Sequence, residues 1–322
     1  MIIQMETIMN KSIWLLVFII LLISCAGKQD KENFKRNDNA VMLNISISGS
    51  LQNAAFAPDS SRIVFTRFRN GYNSEPADIF IFNISTGSIT TLVSDNSCNV
   101  NLPGSAWVGT ELVFSSSRDP HDEIFYIAEN GTTGDETQIT NRPDDVAYEP
   151  SFSPDGEWIV FESHELDVED DGIIMKYEIA GAGTYIELTD LINDGDCRQP
   201  NWSPAGDLIV YQKFDNGQWD LWTMDINVDG NTKITSGPGD KTDASFSPDG
   251  SWIVYSSDEN ELEYANIFII PSTGGSSIRV TNYNGYDGAP SWSPDGQKIS
   301  FESYPGDPDD SAGSTIWIID AP

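Results

Sequence analysis

Hydrophobic residues alternate with polar ones in short runs that are separated by turn residues. A representative run is Ala289 to Ser303, APSWSPDGQKISFES, in which Trp292 precedes Ser-Pro-Asp-Gly, and Ile299 and Phe301 alternate with polar residues. Pro fixes φ, Asp can bond back to the backbone and Gly accepts a positive φ. The run therefore predicts two β-strands joined by a tight turn.

Similar runs occur six times along the chain. Their leading aromatic residues are 44 to 51 positions apart, as their numbers show: Phe56, Trp107, Phe152, Trp202, Phe246 and Trp292. A period in the forties with only strand signals inside it indicates propeller blades rather than a helical solenoid. We predict an all-β fold, a six-bladed β-propeller with four-stranded antiparallel blades, in which the recurring aromatic residues pack between blades.

Both ends of the folded domain, predicted for residues 41–322, are expected in one blade. The sixth repeat ends after a strand at Thr315 to Asp320, and Val41 to Ser48 can supply the strand that it lacks. Closure of this kind removes an exposed sheet edge and ties down both termini.

The repeat resembles the WD40-like repeat of TolB-type propellers. An aromatic residue followed by Ser-Pro-x-Gly stands at Phe152, Trp202, Phe246 and Trp292, and the resemblance covers Asn53 to Asp320. It implies a six-bladed propeller and a peptidoglycan-associated or membrane-complex partner. TolB also has a separate N-terminal α/β domain, whereas a short polar segment precedes the propeller here, which argues against the Tol component proper.

Residues 1–25 have the features of a bacterial lipoprotein signal. Lys11 precedes an apolar run from Ile13 to Ile23, and Leu22-Ile23-Ser24-Cys25 resembles a lipobox. The run is too short to span a bilayer and fits a signal peptide. We expect Cys25 to become the lipidated mature N-terminus, although an ordinary secretory signal with an incidental cysteine remains an alternative. Two or more acyl chains would anchor the protein stably.

Residues 26–40 are polar and charged, which predicts a flexible tether. With the lipid anchor, this tether predicts a location in the cell envelope, on the periplasmic side of the outer membrane or at the cell surface. Cys98 and Cys197 fall in non-adjacent repeats, so we expect both thiols to be free.

The chain carries 50 acidic and 17 basic residues, a formal net charge of −33. Such a chain does not bind nucleic acid by neutralising phosphates. Its expected partners are cations, basic peptides or a basic protein patch. A solvated, self-repelling acidic surface is the alternative.

The acidic residues concentrate in the long, variable connections opposite the Ser-Pro-Asp-Gly turns. Variable loops on a rigid scaffold often carry binding sites, and strand A lines the channel of a propeller. The candidate binding residues near the channel mouth are Asp145, Glu149, Asp196, Asp240, Asp243 and Asp287. The alternative is that Asp serves here only as a turn former.

No catalytic residue and no required cofactor is predicted. Asp225 to Gly230 matches the opening of an EF-hand loop, but Ser236 stands where the bidentate Glu is expected. The two histidines, His121 and His164, lack a zinc spacing, and no Gly-x-Ser-x-Gly elbow occurs. Binding of Ca²⁺ by clustered carboxylates is left open.

The sequence thus favours an envelope-anchored binding or scaffold lipoprotein over an enzyme. We expect a monomeric propeller that recruits an envelope protein, a basic peptide or a cation through its acidic loop face and channel mouth. The alternatives are a carbohydrate-active lyase or hydrolase, and a glycan-binding surface lipoprotein. A pair of catalytic carboxylates across blades is invisible in sequence.

Overall fold

A computed structural model describes residues 34–94, 100–102, 106–119, 121–168, 170–181, 183–226, 230–260, 262–306 and 313–322. The predicted signal segment, Cys25 and Cys98 lie outside these residues. The main compact unit spans Arg36–Pro322. Within the described ranges, no helix has both the length and the apolar character that a membrane span requires.

The described strands form six antiparallel sheets, which confirms the predicted six-bladed propeller. Blade one contains β2 (Ser50–Phe56), β3 (Arg62–Phe68), β4 (Ala77–Asn83) and β5 (Ile89–Ser94). Blade two contains β6 (Val100–Asn101), β7 (Trp107–Val108), β8 (Glu111–Asp119), β9 (His121–Ala128) and β10 (Thr137–Gln138). Since β6 and β7 both pair with β8, they occupy the first strand position of this blade in two pieces.

The remaining blades follow the same order. Blade three contains β11 (Asp145–Phe152), β12 (Trp158–Glu165), β13 (Ile173–Glu178) and β14 (Tyr185–Glu187). Blade four contains β15 (Cys197–Trp202), β16 (Leu208–Asp215), β17 (Gln218–Asp225) and β18 (Asn231–Lys233). Blade five contains β19 (Lys241–Phe246), β20 (Trp252–Ser257), β21 (Asn266–Pro271) and β22 (Ile278–Arg279). Blade six contains β23 (Tyr286–Trp292), β24 (Lys298–Tyr304), β25 (Thr315–Asp320) and β1 (Val41–Met42).

The first and last described strands, β1 and β25, close the propeller in blade six, as predicted. Val41 pairs with Ile318 in antiparallel register. The closing strand is shorter than Val41 to Ser48, because Leu43, Ile45 and Ile47 pack into the hydrophobic cluster of blade one. The chain thus leaves the closing strand early and fills the junction between the first and last blades.

The Ser-Pro-Asp-Gly segments form the predicted turns. In blade three, the Gly156 N–H donates to the Ser153 carbonyl at 2.9 Å. The Ser153 hydroxyl donates to Asp155 at 2.6 Å and accepts the Trp158 N–H at 2.9 Å. Gly156 has a φ of 73°, the left-handed conformation that the sequence requires of it.

The hydrophobic core lies in six clusters, each of which contains one of the leading aromatic residues. Trp107, for example, packs against a cluster that joins Ile79 of blade one to Phe114 of blade two. This confirms that the aromatic residues pack between blades. Cys197 is free and buried, as predicted, and burial raises the pKa of its thiol to about 12.

The turn of blade one tests the requirement for glycine at the left-handed position of these turns. It has Ser60 in place of the glycine, at a φ of 58°. A left-handed conformation costs a non-glycine residue about 1 kcal/mol or more. We expect Ser60→Gly to raise the free energy of unfolding by about 1 kcal/mol in urea denaturation.

The reciprocal variant Gly250→Ser is the matched control, since Gly250 has a φ of 72° in the turn of blade five. It should lower the free energy of unfolding by a similar amount. A destabilising effect of Ser60→Gly would contradict the proposed role of this conformation.

Candidate functional site

The first strand of five blades carries a β-bulge three residues before its aromatic residue. Each bulge places one non-glycine residue at positive φ: Asn53 (53°), Glu149 (46°), Gln199 (50°), Asp243 (56°) and Ala289 (46°). The ladder register shifts at each of these points. Bulges re-aim side chains, and left-handed non-glycine residues store strain. The repeated strain marks this level of the propeller as a candidate site.

All five bulge residues line one narrow cavity of about 30 Å³, here called the channel cavity. Because five blades contribute to it, this cavity lies on the propeller axis. Two of the predicted site residues, Glu149 and Asp243, meet there. The Ser245 hydroxyl, which also lines the cavity, is buried without a hydrogen-bond partner.

Two buried carboxylates from the second strands of their blades support the bulges. Glu162 of β12 accepts the Gln199 N–H at 2.7 Å, so blade three holds the bulge of blade four. Glu302 of β24 accepts the Asn53 N–H at 3.2 Å, so blade six holds the bulge of blade one. Glu149, Glu162, Asp243 and Glu302 are called the channel carboxylates below.

The channel carboxylates share one electrostatic environment. Burial raises the pKa of Glu149 well above its ordinary value, and Glu162, Asp243 and Glu302 raise it further. Burial also raises the pKa of Glu302 to about 8, against the hydrogen bond from the Tyr72 hydroxyl, which lowers it. Glu149 and Glu302 therefore hold their protons more firmly than ordinary carboxyl groups, and the cluster would favour a cationic group placed beside it.

A larger cavity of about 640 Å³, here called the blade-three cavity, opens on the loop face. Its lining includes both histidines of the chain, together with Asp122, Tyr148 and Arg198. Burial raises the pKa of Asp122 to about 6, and the hydrogen bond from Tyr148 opposes this shift. Glu162 lines this cavity and is also a channel carboxylate.

His164 lies between two carboxylates at the wall of the blade-three cavity. Its Nε2 is 3.4 Å from Glu162 and its Nδ1 is 3.1 Å from Asp171. Burial lowers the pKa of His164, but the hydrogen bond to Glu162 raises it, and the net shift is upward. The imidazolium therefore forms more readily here than in water.

The other four predicted acids make separate contacts outside the channel cavity. Asp145 pairs with Arg142 at 2.5 Å, and Asp196 pairs with Arg198 at 2.8 Å.

Asp240 accepts the Trp219 N–H at 2.8 Å. Asp287 is fully buried and pairs with Arg36 at 2.5 Å. The structure thus brings Glu149 and Asp243 together in the channel cavity and places these four acids in separate local contacts.

Arg36 occupies a pocket of blade six. Its guanidinium lies 4.4 Å from the ring centroid of Tyr283 and 4.5 Å from that of Trp317, in addition to its pairing with Asp287. The Asn37 N–H donates to the Asn282 carbonyl at 2.8 Å. Residues 36–40, which the sequence assigned to the tether, thus belong to the compact unit.

Four residues of these cavities were not predicted from the sequence: Asp122, Tyr148, Glu162 and Glu302. A signal for the two glutamates was available in the repeat alignment. One position in the second strand of every blade is polar and directly follows a buried aromatic residue: Thr66, Ser115, Glu162, Gln212, Ser256 and Glu302. Within the parts of the chain that the structure describes, no group of three or more His, Cys, Asp or Glu residues is arranged to hold a metal ion.

Parts of the chain are similar in sequence to known proteins. The family model for the TolB beta propeller domain matches residues 190–301. An uncharacterized protein of Agrobacterium fabrum is 33% identical over 106 residues, which cover 33% of this chain and 36% of the relative. The Tol-Pal system protein TolB of Francisella tularensis is 34% identical over 88 residues, which cover 27% of this chain and 20% of the relative. The matches thus span about a third or less of these relatives.

Solved structures resemble the whole propeller. TolB from Acinetobacter baumannii superposes with a TM-score of 0.63 at 17% identity, covering 82% of this chain and 65% of that one. Oligogalacturonate lyase from Vibrio parahaemolyticus superposes with a TM-score of 0.54 at 13% identity, covering 90% and 97%. At such low identities, these similarities establish the fold alone.

The Arg36 pocket predicts a large effect on stability. Arg36→Ala would leave the Asp287 carboxylate buried without its cation, which typically costs about 3–5 kcal/mol. We expect this loss in the free energy of unfolding measured with urea. Lys298→Ala is the control, because Lys298 pairs with Asp320 at the exposed surface. An effect of Arg36→Ala no larger than that of the control would contradict the account.

The channel carboxylates predict a pH dependence of stability. A carboxyl group whose pKa is raised by folding stabilises the fold below its unfolded pKa, and this contribution is lost as pH rises through its folded pKa. For Glu302, the shift from 4.5 to about 8 corresponds to about 5 kcal/mol lost over this range. We expect the free energy of unfolding to fall between pH 4.5 and pH 8.

Glu149→Gln should make this fall smaller, because one raised pKa is removed from the cluster. The exposed Glu157→Gln, in the turn of blade three, is the matched control and should leave the pH profile unchanged. Equal pH profiles of wild type and Glu149→Gln would show that Glu149 does not carry a raised pKa.

Proposed function

We propose that this TolB-like β-propeller is a protein-binding scaffold of the bacterial cell envelope. The observation that carries the proposal is the concentration of carboxylates at the channel and blade-three cavities. Glu149 and Asp243 line the first cavity, and Asp122 lines the second. Strained and partly protonated groups at one level of a fold are costly to stability, which supports a functional role for them.

The proposed ligand is a basic segment of an envelope protein. A Lys or Arg side chain beside the channel carboxylates would stabilise their ionised forms and release the protons that burial retains. The overall charge of −33 would also speed the approach of a basic partner. Arg198, a cation at the blade-three cavity, is already engaged with Asp196. The acidic side chains that line this cavity would therefore determine which partner binds.

The proposed location rests on the sequence before the propeller and on the relatives. Cys25 follows a short apolar run in a lipobox-like context, and one similar protein is named as a Tol-Pal system component. We propose that Cys25 carries the lipid and that the propeller is anchored to a membrane of the envelope through it. Four of the predicted site acids would hold the loops of this face in place through their local contacts: Asp145, Asp196, Asp240 and Asp287.

The proposal predicts a cross-linked partner that depends on the site acids. The full-length chain would be cross-linked in intact envelopes, followed by mass spectrometry, for the wild type and for Asp122→Asn/Glu149→Gln. We expect a defined protein partner with the wild type and a clear loss of this product with the variant, because the variant removes two carboxyl groups whose ionised forms would pair with a basic segment.

The control variant is Glu111→Gln/Glu157→Gln, which replaces the same number of carboxyl groups near the turn face. It should retain the partner. Loss of the partner with both variants would indicate a non-specific charge effect, and an unaltered partner with the site variant would contradict the proposal. Cys25→Ala, fractionated in parallel, should leave the membrane fraction if Cys25 is the anchor.

A further inference from the structure

The large hydrophobic side chains that remain exposed gather on one part of the loop face. Among the described residues, nine such side chains are exposed, and five of them belong to the loop-face ends of blades three and four. These five are Leu166 (42% exposed), Val168 (44%), Leu191 (46%), Ile192 (94%) and Phe214 (46%). Scattered apolar residues need no explanation, whereas a cluster at one site indicates an interaction surface.

Four of these side chains border the acidic cavities and are here called the apolar rim: Leu166, Val168, Leu191 and Ile192. Leu166 and Val168 line the blade-three cavity. Leu191 and Ile192 line a neighbouring cavity of about 380 Å³. Both cavities are lined by His164 and Glu165, so they adjoin each other. The carboxylates that line them beside the rim, Asp122, Glu165 and Asp167 among them, are here called the acidic floor.

The loop that carries Leu191 and Ile192 is held by hydrogen bonds. Asp190 accepts the Ile192 N–H at 3.0 Å and the Asn193 N–H at 2.9 Å. The Asp194 N–H donates to the Asp190 carbonyl at 2.8 Å, which closes the turn. An ordered turn therefore presents the two apolar side chains to solvent. This order reduces the conformational entropy that the loop loses when a partner binds.

Acidic groups stand next to the rim. Glu165 is exposed at the end of β12, and Asp167 and Asp170 are exposed on the connection that follows it. Asp122, in the floor, is held by a hydrogen bond from Tyr148. The neighbouring cation Arg198 pairs with Asp196 and lies 5.2 Å from the ring centroid of Trp219. A partner that matches this surface must offer both positive charge and apolar side chains.

Resting on the function proposed above, we propose that the apolar rim and the acidic floor of blade three form the docking site for an amphipathic basic segment of the partner protein. Its Lys or Arg side chains face Asp122, Glu165 and Asp167, and its apolar side chains pack on the rim. Peptides that bind grooves in this way use regularly spaced apolar anchors.

Charge complementarity selects this occupant over two others. A second copy of the chain would bring the same acidic face and a charge of −33 against it. An anionic lipid surface would be repelled by Glu165, Asp167 and Asp170, since such surfaces attract basic segments. A basic amphipathic protein segment satisfies both the rim and the floor.

The test uses a fluorescent synthetic peptide of alternating leucine and arginine clusters, titrated with the purified full-length chain. Two matched peptides replace every arginine with glutamate or every leucine with serine. We expect the first peptide to bind, with an affinity that falls as salt is added, because exposed charges are screened. Both matched peptides should bind at least about tenfold more weakly.

The variant Leu191→Ser/Ile192→Ser should weaken binding of the first peptide by about tenfold or more. Ile278→Ser is the control, since Ile278 is 43% exposed on blade five, away from the rim. Unchanged binding to the rim variant, an equal loss with the control, or no binding of the first peptide would each overturn the inference.

Photo-cross-linking separates this inference from the broader function. A photoreactive residue would replace Ile192 or Ile278 in the full-length chain in intact envelopes. A partner captured from position 278 alone would overturn the docking site but leave a protein-binding scaffold in place. Capture from neither position, with no partner in the envelope cross-linking above, would overturn the proposed function itself.

Discussion

The repeated bulge in the first strand of the blades is the constraint on which the rest of the site depends. At the same point of five blades, a non-glycine residue holds a left-handed conformation, with φ between 46° and 56°. This conformation costs about 1 kcal/mol or more for a residue such as Glu149 or Ala289. The bulges turn Glu149 and Asp243 onto the axis, and Glu162 and Glu302 hold the backbone N–H groups of neighbouring bulges.

The channel carboxylates affect both the stability of the propeller and its proposed ligand binding. Carboxylates gathered on the axis oppose folding as pH rises, because burial raises the pKa of Glu302 to about 8. The fold tolerates them because the inter-blade clusters and the closing strand β1 stabilise the propeller independently. A cationic ligand would stabilise the ionised channel carboxylates and so offset the stability that their burial costs in the free protein. Binding should therefore stabilise the propeller by mass action.

Much of the fold could be predicted from the sequence because turns and strand periodicity are local. Ser-Pro-Asp-Gly and the recurring aromatic residue predict blades, and their number gives six. The site was harder to predict, because its geometry depends on which blades meet at the axis. Asp287 and Glu149 precede their aromatic residues by five and three positions, yet one pairs with Arg36 and the other lines the channel. Glu162 and Glu302 lie within buried strands, where sequence periodicity predicts core rather than site.

The most direct test of the account is hydrogen exchange of the full-length chain in intact envelopes, compared with the purified protein. The account predicts slower exchange at residues 164–168 and 190–196, where the acidic floor and the apolar rim would contact a partner. It predicts no change at the turns that begin with Ser153, Ser203, Ser247 and Ser293 on the opposite face. Protection of those turns alone, or unchanged exchange on the loop face, would contradict a binding role for this surface.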